Sequence, residues 1–155
     1  MRVYPEQFAD HLKAGLKPCY LIFGDEPLLK LEAIDAVRQV ARKQGFDERH
    51  SFVVEQGLDW NQVYDACQAM SLFSARQIIE LELPAKVDKE LAARISEIGK
   101  QLHPDLLLVL SGNRLNQTQM KAAWFDKLYQ IGTYVPVNQA RVLVHTGRLR
   151  GQVLR

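Results

Sequence analysis

The chain has 155 residues, a formal net charge of +2, 47% apolar residues and 25% charged residues. This composition is typical of one globular domain and excludes collagen-like, disordered and disulfide-framework proteins. No apolar run approaches the roughly 20 residues that a membrane span needs, and residues 1–6 lack the apolar stretch of a signal peptide. We therefore expect a cytoplasmic protein with no membrane partner, whose two cysteines, Cys19 and Cys67, are free thiols.

The positive charge is concentrated at one end of the chain. Residues 138–155 contain four arginines and no acidic residue, so residues 1–137 carry 16 basic against 18 acidic side chains, a net charge of −2. A mildly acidic body predicts that any contact with DNA is weak or indirect. The basic tail fits either phosphate contact or simple solvation, and the pattern leaves both interpretations open.

Helices and strands alternate in the first half of the chain. Phe8 and Leu12 lie four residues apart, which indicates an opening helix over residues 5–14. The continuous apolar run at residues 19–23 indicates a strand that is buried on both faces. Apolar spacing and capping residues then predict a helix over 27–44, a strand over 51–55 and a helix over 59–70.

The same alternation continues in the second half. We predict strands over 77–83, 106–110 and 133–137, and helices over 88–102 and 117–130. In the first of these strands Glu80 and Glu82 alternate with apolar residues, which predicts one buried and one exposed face. The order α-(βα)₄β predicts an α/β fold with a mostly parallel five-stranded sheet and helices on both faces. No periodic element follows, so residues 138–155 are interpreted as a basic tail or linker after a domain of residues 1–137.

The turn after the first strand resembles a phosphate-binding loop only in part. In the pattern G-x-x-x-x-G-K-[ST], Gly24 fits the first glycine and Lys30 fits the lysine. Leu29 stands where the second glycine is needed, and Leu31 stands where the magnesium-binding hydroxyl is needed. The pattern therefore predicts no nucleotide hydrolysis and no bound cofactor.

The chemistry of the same turn points in the same direction. Asp25 and Glu26 would repel a phosphate at the start of the following helix. Pro27 has no backbone N–H, so the loop has one donor fewer for a phosphate. The alternative interpretation is a nucleotide-binding α/β enzyme that uses Lys30 and Asp25 at this turn. ATP binding that depends on Lys30 would distinguish the two.

No constellation of catalytic or metal-binding residues is evident. The four histidines are scattered, no Cys or His pair has zinc spacing, and no G-x-S-x-G nucleophile motif occurs. We therefore predict neither a catalytic site nor a metal site.

Two adjacent large apolar residues, Leu72 and Phe73, fall on the predicted connection between the third helix and the third strand. Connecting loops are normally solvated, so such a pair needs an explanation. The pair could tuck beneath the sheet edge as part of the core. It could instead form an exposed side-chain pair that fills a partner's apolar pocket, with Met70 as an adaptable neighbour. Pattern alone does not decide between these interpretations.

Several motifs together identify a family resemblance. They are, in chain order, Tyr4-Pro5-Glu6-Gln7, Gly24-Asp25-Glu26-Pro27-Leu28-Leu29, Asp35-Ala36-Val37-Arg38-Gln39, Gln44-Gly45-Phe46, Asp59-Trp60, Gln68-Ala69-Met70-Ser71-Leu72-Phe73-Ser74 with Arg76-Gln77, Asp105-Leu106-Leu107-Leu108, Gly112-Asn113 with Leu115, and Ala122-Ala123-Trp124-Phe125. From about residue 3 to residue 137 the chain resembles the N-terminal domain of the delta subunit of the bacterial DNA polymerase III clamp loader.

The resemblance implies a fold related to the AAA+ ATPases with a decayed phosphate loop. It implies a non-catalytic subunit of the DNA-directed DNA polymerase III holoenzyme, which acts in DNA replication by binding the sliding clamp, the beta subunit, and opening one ring interface. The residues that match the family's clamp-binding element are Leu72 and Phe73, which enter an apolar pocket of the clamp, with Met70 and Ser71 beside them.

The chain departs from the family pattern in two ways. Members of the family continue into a helical domain and a collar domain that joins the other loader subunits, and the resemblance implies that both are missing from this sequence. Residues 138–155 do not follow the family pattern and receive no role from it. We therefore expect contacts with the other loader subunits to depend on domains that are not present here.

Overall fold

A computed structural model describes residues 1–68 and 76–138. The helices are α1 (Pro5–Lys13), α2 (Pro27–Lys43), α3 (Trp60–Gln68), α4 (Lys89–Lys100), α5 (Gln117–Met120) and α6 (Ala123–Ile131). The strands are β1 (Cys19–Phe23), β2 (Glu48–Val53), β3 (Gln77–Glu82), β4 (Leu106–Gly112) and β5 (Thr133–Pro136). No helix in these two ranges is long and apolar enough to cross a membrane.

The strands form one five-stranded sheet in the order β2-β3-β4-β1-β5, and every neighbouring pair is parallel. All strands therefore begin at one side of the sheet, which we call the amino edge, and end at the other, the carboxyl edge. The predicted α/β architecture is confirmed. In open sheets of this kind, ligands usually bind at the carboxyl edge.

Both faces of the sheet are covered by helices. In β1, residues 19, 21 and 23 pack with α3, α4 and α6 on one face, and residues 20 and 22 pack with α1 and α2 on the other. Every residue of β1 and β4 is buried as a result. This burial explains why these two strands are almost continuously apolar in the sequence.

The single helix predicted over residues 117–130 is instead two helices. Asn116 and Gln119 form reciprocal side-chain to backbone hydrogen bonds of 2.8 and 2.9 Å, which close the short α5. The backbone of Ala122 is extended, with φ −64° and ψ 148°, and a new helix starts after it. The change of direction lets Trp124 and Phe125 pack edge-on against aromatic rings of β1 and β5.

The prediction for β2 was displaced along the chain, from residues 51–55 to Glu48–Val53. The strand lies at the edge of the sheet and pairs with β3 from Glu48 opposite Gln77 to Val53 opposite Glu82. Its residues alternate between partly buried and exposed positions. The backbone pairing with β3 therefore begins at polar residues, before the apolar pattern that the prediction relied on.

The prediction that β3 has one exposed face was wrong. The first five residues of β3 are buried, including Glu80, which is 8% exposed. A buried carboxylate needs hydrogen-bond or charge partners, and the partners of Glu80 come from outside its own strand.

Candidate functional site

The predicted clamp-binding residues Met70, Ser71, Leu72 and Phe73 lie outside the described residues. The residues on either side of this segment are described. Helix α3 ends at Gln68, and Arg76 immediately precedes β3. The segment of residues 69–75 is thus attached to the domain at the amino edge, where β3 begins.

Arg76 joins three parts of the chain at this edge. Its Nε donates to Oδ1 of Asp105 at 3.0 Å, and its Nη1 donates to the carbonyl oxygen of Gln44 at 3.0 Å. The guanidinium carbon lies 5.3 Å from the centre of the Phe46 ring. We call this group, made of Arg76, Gln44, Phe46 and Asp105, the Arg76 clasp.

A cavity of about 570 Å³ lies beside the Arg76 clasp. Phe46 and Arg76 line it together with apolar residues that include Leu16, Leu102 and Leu106. Ile131, at the end of α6, borders the cavity and is 45% exposed. The amino edge therefore combines an apolar cavity with the charged side chain of Arg76, the residue that precedes β3.

The carboxyl edge has a different character, because the turn after β1 is bonded internally. The N–H of Gly24 donates to the carbonyl of Gly112 at 3.1 Å, and the N–H of Glu26 donates to the carbonyl of Val137 at 3.0 Å. The Leu28 N–H donates to the Glu26 carboxylate at 2.8 Å. These three amides are therefore already engaged by the protein's own oxygen atoms.

Gly24 is needed here for packing. A Cβ atom at this position would overlap the carbonyl oxygen of Val137, which follows β5. The backbone of the turn therefore lies directly against the end of a neighbouring strand. This contact accounts for the glycine without invoking the close approach of a phosphate.

The alternative nucleotide-binding interpretation depends on Lys30 and Asp25. Lys30 lines a shallow cavity of about 450 Å³ with polar residues that include Ser111 and Asn113. Asp25 lies 3.8 Å from the Arg114 guanidinium. A cation is present at this edge, but the capped helix start and the engaged amides oppose a phosphate there, which weighs against that interpretation.

The surroundings of Glu80 were not predicted from the sequence. Arg38 of α2 donates from Nε and Nη2 to the two carboxylate oxygens, each at 2.7 Å, and the hydroxyl of Ser51 donates to the same carboxylate at 2.8 Å. Arg49 adds a longer contact at 3.3 Å. The only available signal was an acidic residue in a strand that is otherwise largely apolar.

Burial and charge act in opposite directions on Glu80. Burial alone raises the pKa of this carboxyl, but the hydrogen bonds from Arg38 and Ser51 and the charges of Arg38 and Arg49 outweigh burial. The pKa of Glu80 is therefore below its ordinary value. The charged form is the one that this cluster holds.

Within residues 1–68 and 76–138, no group of three His, Cys, Asp or Glu side chains is arranged to hold a metal ion. His11 bonds Thr133 through Nε2 at 2.9 Å, and burial followed by the charges of Lys17 and the N-terminus lowers its pKa. Cys19 and Cys67 are free and buried, and burial raises the pKa of Cys67 to about 11.

These features define a class of protein: an α/β domain with a parallel five-stranded sheet, in which the amides of the turn after β1 are bonded within the domain. Residues 20–138 match the family model for DNA polymerase III, delta subunit. The chain belongs to this family. The matched range includes Met70–Phe73.

Curated relatives agree with this assignment. The chain is 45% identical over 129 residues to DNA polymerase III subunit delta of Escherichia coli (strain K12), and 40% identical over 129 residues to that of Haemophilus influenzae. These alignments cover 83% of the chain and 38% of each relative, so the chain spans well under half the length of these proteins.

A solved structure supports the fold independently. The Bacillus subtilis DNA clamp loader delta protein superposes with a TM-score of 0.63 and 18% sequence identity, over 86% of this chain and 42% of that one. At this identity the match concerns the fold. It agrees with the fold class expected from the sequence.

Proposed function

We propose that the chain is the clamp-binding module of a bacterial replicative clamp loader. In this proposal Leu72 and Phe73 enter an apolar pocket on the ring-shaped sliding clamp, with Met70 and Ser71 beside them, and the module opens one interface of the ring. The observation that carries the proposal is the family match over residues 20–138, which contains this segment. The proposed module occupies residues 1–137, and the tail receives no role.

Ring opening then follows from differential binding. A module that fits the open clamp better than the closed ring shifts the equilibrium toward the open state by that difference in affinity and by no more. Two apolar anchors are enough to provide most of the binding free energy, because a few buried residues usually dominate an interface. The remaining contacts align the module against the ring.

In this proposal the module opens the clamp without hydrolysing ATP itself. The engaged amides of Gly24, Glu26 and Leu28 support this aspect, because a phosphate would have to displace bonds that the protein already makes. The other loader subunits are proposed partners through family domains outside this sequence. The net charge of −2 on residues 1–137 favours only weak or indirect contact with DNA.

The first experiment measures binding of the whole chain to an immobilised bacterial sliding clamp. The test variant is Leu72→Ala/Phe73→Ala. We expect its affinity to fall at least about thirtyfold, because truncating each anchor of this kind costs about 1 to 4 kcal/mol. Thermal melting of the variant should match that of the parent chain.

The matched control is Leu28→Ala/Leu31→Ala, which also truncates two large apolar side chains. Leu28 and Leu31 are 61% and 59% exposed on the first turns of α2, at the carboxyl edge. This variant should keep the parent affinity. Equal binding by all three proteins would contradict the proposal, and so would a large loss of thermal stability in Leu72→Ala/Phe73→Ala, which would place those residues in the core.

A second measurement tests ring opening separately from binding. A clamp labelled with a fluorescence donor and acceptor across one ring interface should lose energy transfer when the chain is added. The Leu72→Ala/Phe73→Ala variant at the same concentration should leave the signal unchanged. Binding without any change in energy transfer would limit the function to docking.

A further inference from the structure

We propose that the groove between α1 and α2 is a docking site for a partner polypeptide that inserts apolar side chains next to a lysine or arginine. A cavity of about 580 Å³ opens there, and we call it the α1–α2 groove. The proposed function places the chain among other polypeptides, and only the choice of a polypeptide as occupant rests on that function.

Small side chains create the groove. Ala9 lies on α1, and Ala33 and Ala36 lie on α2, and all three line the cavity. The same two helices are held on one face of the sheet by larger buried residues such as Phe8 and Val37. Because an alanine side chain ends at Cβ, it leaves space unfilled between helices that the core holds in place.

The walls of the groove are mainly apolar. Pro5 and Phe8 line it on the side of α1, Leu29 lines it on the side of α2, and Pro136 at the end of β5 completes it. Apolar side chains that enter the groove lose contact with water against these walls, which favours association.

Charge restricts the kind of occupant. Glu6 and Glu32 line the groove, and none of the described residues that line it is a lysine or an arginine. Glu32 is exposed on α2. A cavity with two carboxylates and no cation attracts a lysine or arginine side chain and disfavours an acidic segment or a phosphate.

A buried hydrogen-bond acceptor lies in the wall of the groove. Asn138 lines the cavity, and its Oδ1 has no hydrogen-bond partner among residues 1–68 and 76–138. A buried acceptor without a donor is unfavourable, so a donor supplied by the occupant is stabilising. Rotation of the Asn138 side chain toward the cavity presents this oxygen to a backbone or guanidinium N–H of the partner.

The groove is separate from the proposed clamp-binding residues. Helices α1 and α2 pack on one face of the sheet, whereas α3, which ends at Gln68 just before that segment, packs on the other. A partner in the groove therefore leaves the clamp-binding side of the domain accessible. The two kinds of binding can be measured independently.

The test titrates the whole chain with the blocked peptide acetyl-Gly-Leu-Arg-Leu-Gly-amide and follows the backbone amide signals by NMR. We expect saturable shifts at Ala9, Ala33 and Ala36 and none in α4. The same peptide with Glu in place of Arg should bind at least about tenfold more weakly, because its carboxylate meets Glu6 and Glu32. Replacing both leucines of the peptide with serine should weaken binding by a similar factor of about ten, because the apolar contact is lost.

Charge reversal in the groove provides the decisive variant. Glu32→Lys should weaken binding of the Arg peptide about tenfold and strengthen binding of the Glu peptide, so that the preference shrinks or inverts. The control is Glu97→Lys, which makes the same charge change at an exposed position of α4, on the other face of the sheet. It should leave both peptide affinities unchanged, and both variants should keep the parent chain's affinity for the clamp.

Several results would overturn the inference. They are shifts that do not saturate, equal binding of the Arg and Glu peptides, a preference that Glu32→Lys leaves unchanged, and shifts confined to the cavity beside Arg76. Self-association of the chain that Glu32→Lys abolishes would make a second copy the occupant, which overturns the partner proposed here. A chain that binds the Arg peptide selectively but not the clamp would retain the groove and lose the proposed function.

Discussion

The two edges of the sheet differ in what they present at their surface. At the carboxyl edge, the turn after β1 bonds through Gly24 to Gly112, the last residue of β4, and through Glu26 to Val137, which follows β5. At the amino edge, an apolar cavity and the Arg76 clasp lie where β3 begins. At the position where α/β sheets usually bind ligands, the backbone donors of the turn are thus already used within the fold. The apolar cavity and the charged side chain of Arg76 lie instead at the opposite edge.

The largest loss of stability is expected from a substitution that disrupts the turn after β1 at the carboxyl edge. Gly24→Ala places a methyl group onto the Val137 carbonyl, so the turn or β5 must move. We expect a loss of about 3 kcal/mol or more in the free energy of unfolding, measured by urea denaturation.

The control for this change is Gly99→Ala. A Cβ at Gly99 in α4 meets only the end of the Leu128 side chain, at 3.3 Å, which can yield. Alanine also favours a helix by roughly 1 kcal/mol over glycine, so this variant should be neutral or slightly more stable. Equal stability of Gly24→Ala and the parent chain would show that the turn is not held against Val137.

A smaller effect is expected at Glu80, which belongs to neither edge. Glu80→Gln removes the charge that Arg38 and Ser51 hold, and we expect a loss of about 2 kcal/mol near pH 7. Affinity for the clamp should stay unchanged, because the cluster lies away from both edges. A large loss of clamp affinity with intact folding would contradict the division of the molecule into edges.

The pH dependence of this effect has a definite sign. The pKa of Glu80 is lower in the folded chain than its ordinary value of 4.5, so the stabilisation is fully present above that value. It is lost as the pH falls through the lowered folded pKa. Urea denaturation should show the difference between the parent chain and Glu80→Gln shrinking below about pH 4.

The smallest expected effect concerns Lys30. Equilibrium dialysis with ATP and magnesium should detect no saturable binding by the parent chain or by Lys30→Ala, because the turn's amides are engaged and Glu26 caps the helix start. The stability of Lys30→Ala should stay within about 0.5 kcal/mol of the parent chain. Saturable ATP binding that Lys30→Ala abolishes would reopen the carboxyl edge as a ligand site.

The parts of the fold that could be predicted are those set by local patterns. The ends of β1 were predicted correctly because an apolar run is bounded by Pro18 and Gly24. β2 was misplaced because an edge strand can contain polar residues, and the helix over 117–130 was divided by the extended backbone at Ala122. These errors arise where tertiary contacts override local preference.

The same distinction between local patterns and tertiary contacts applies to the candidate site. The departure of the turn after β1 from the phosphate-loop pattern is visible at Leu29 in the sequence, because the pattern needs specific residues at fixed spacing. The Arg76 clasp could not be predicted from the sequence. Asp105 and Gln44 lie 29 and 32 residues from Arg76, so no local pattern connects them. Met70–Phe73 came from motif and family resemblance, and their role stays a prediction.

The position of β1 between β4 and β5 has a consequence for synthesis on the ribosome. β1 emerges early, yet its partner β5 emerges about 110 residues later, which at 5–20 residues per second is a delay on the order of ten seconds. Both backbone sides of this apolar strand are unpaired until β4 emerges, and one side stays unpaired until β5 emerges. The unfinished polypeptide is therefore open to strand pairing with other chains until Thr133–Pro136 leaves the exit tunnel.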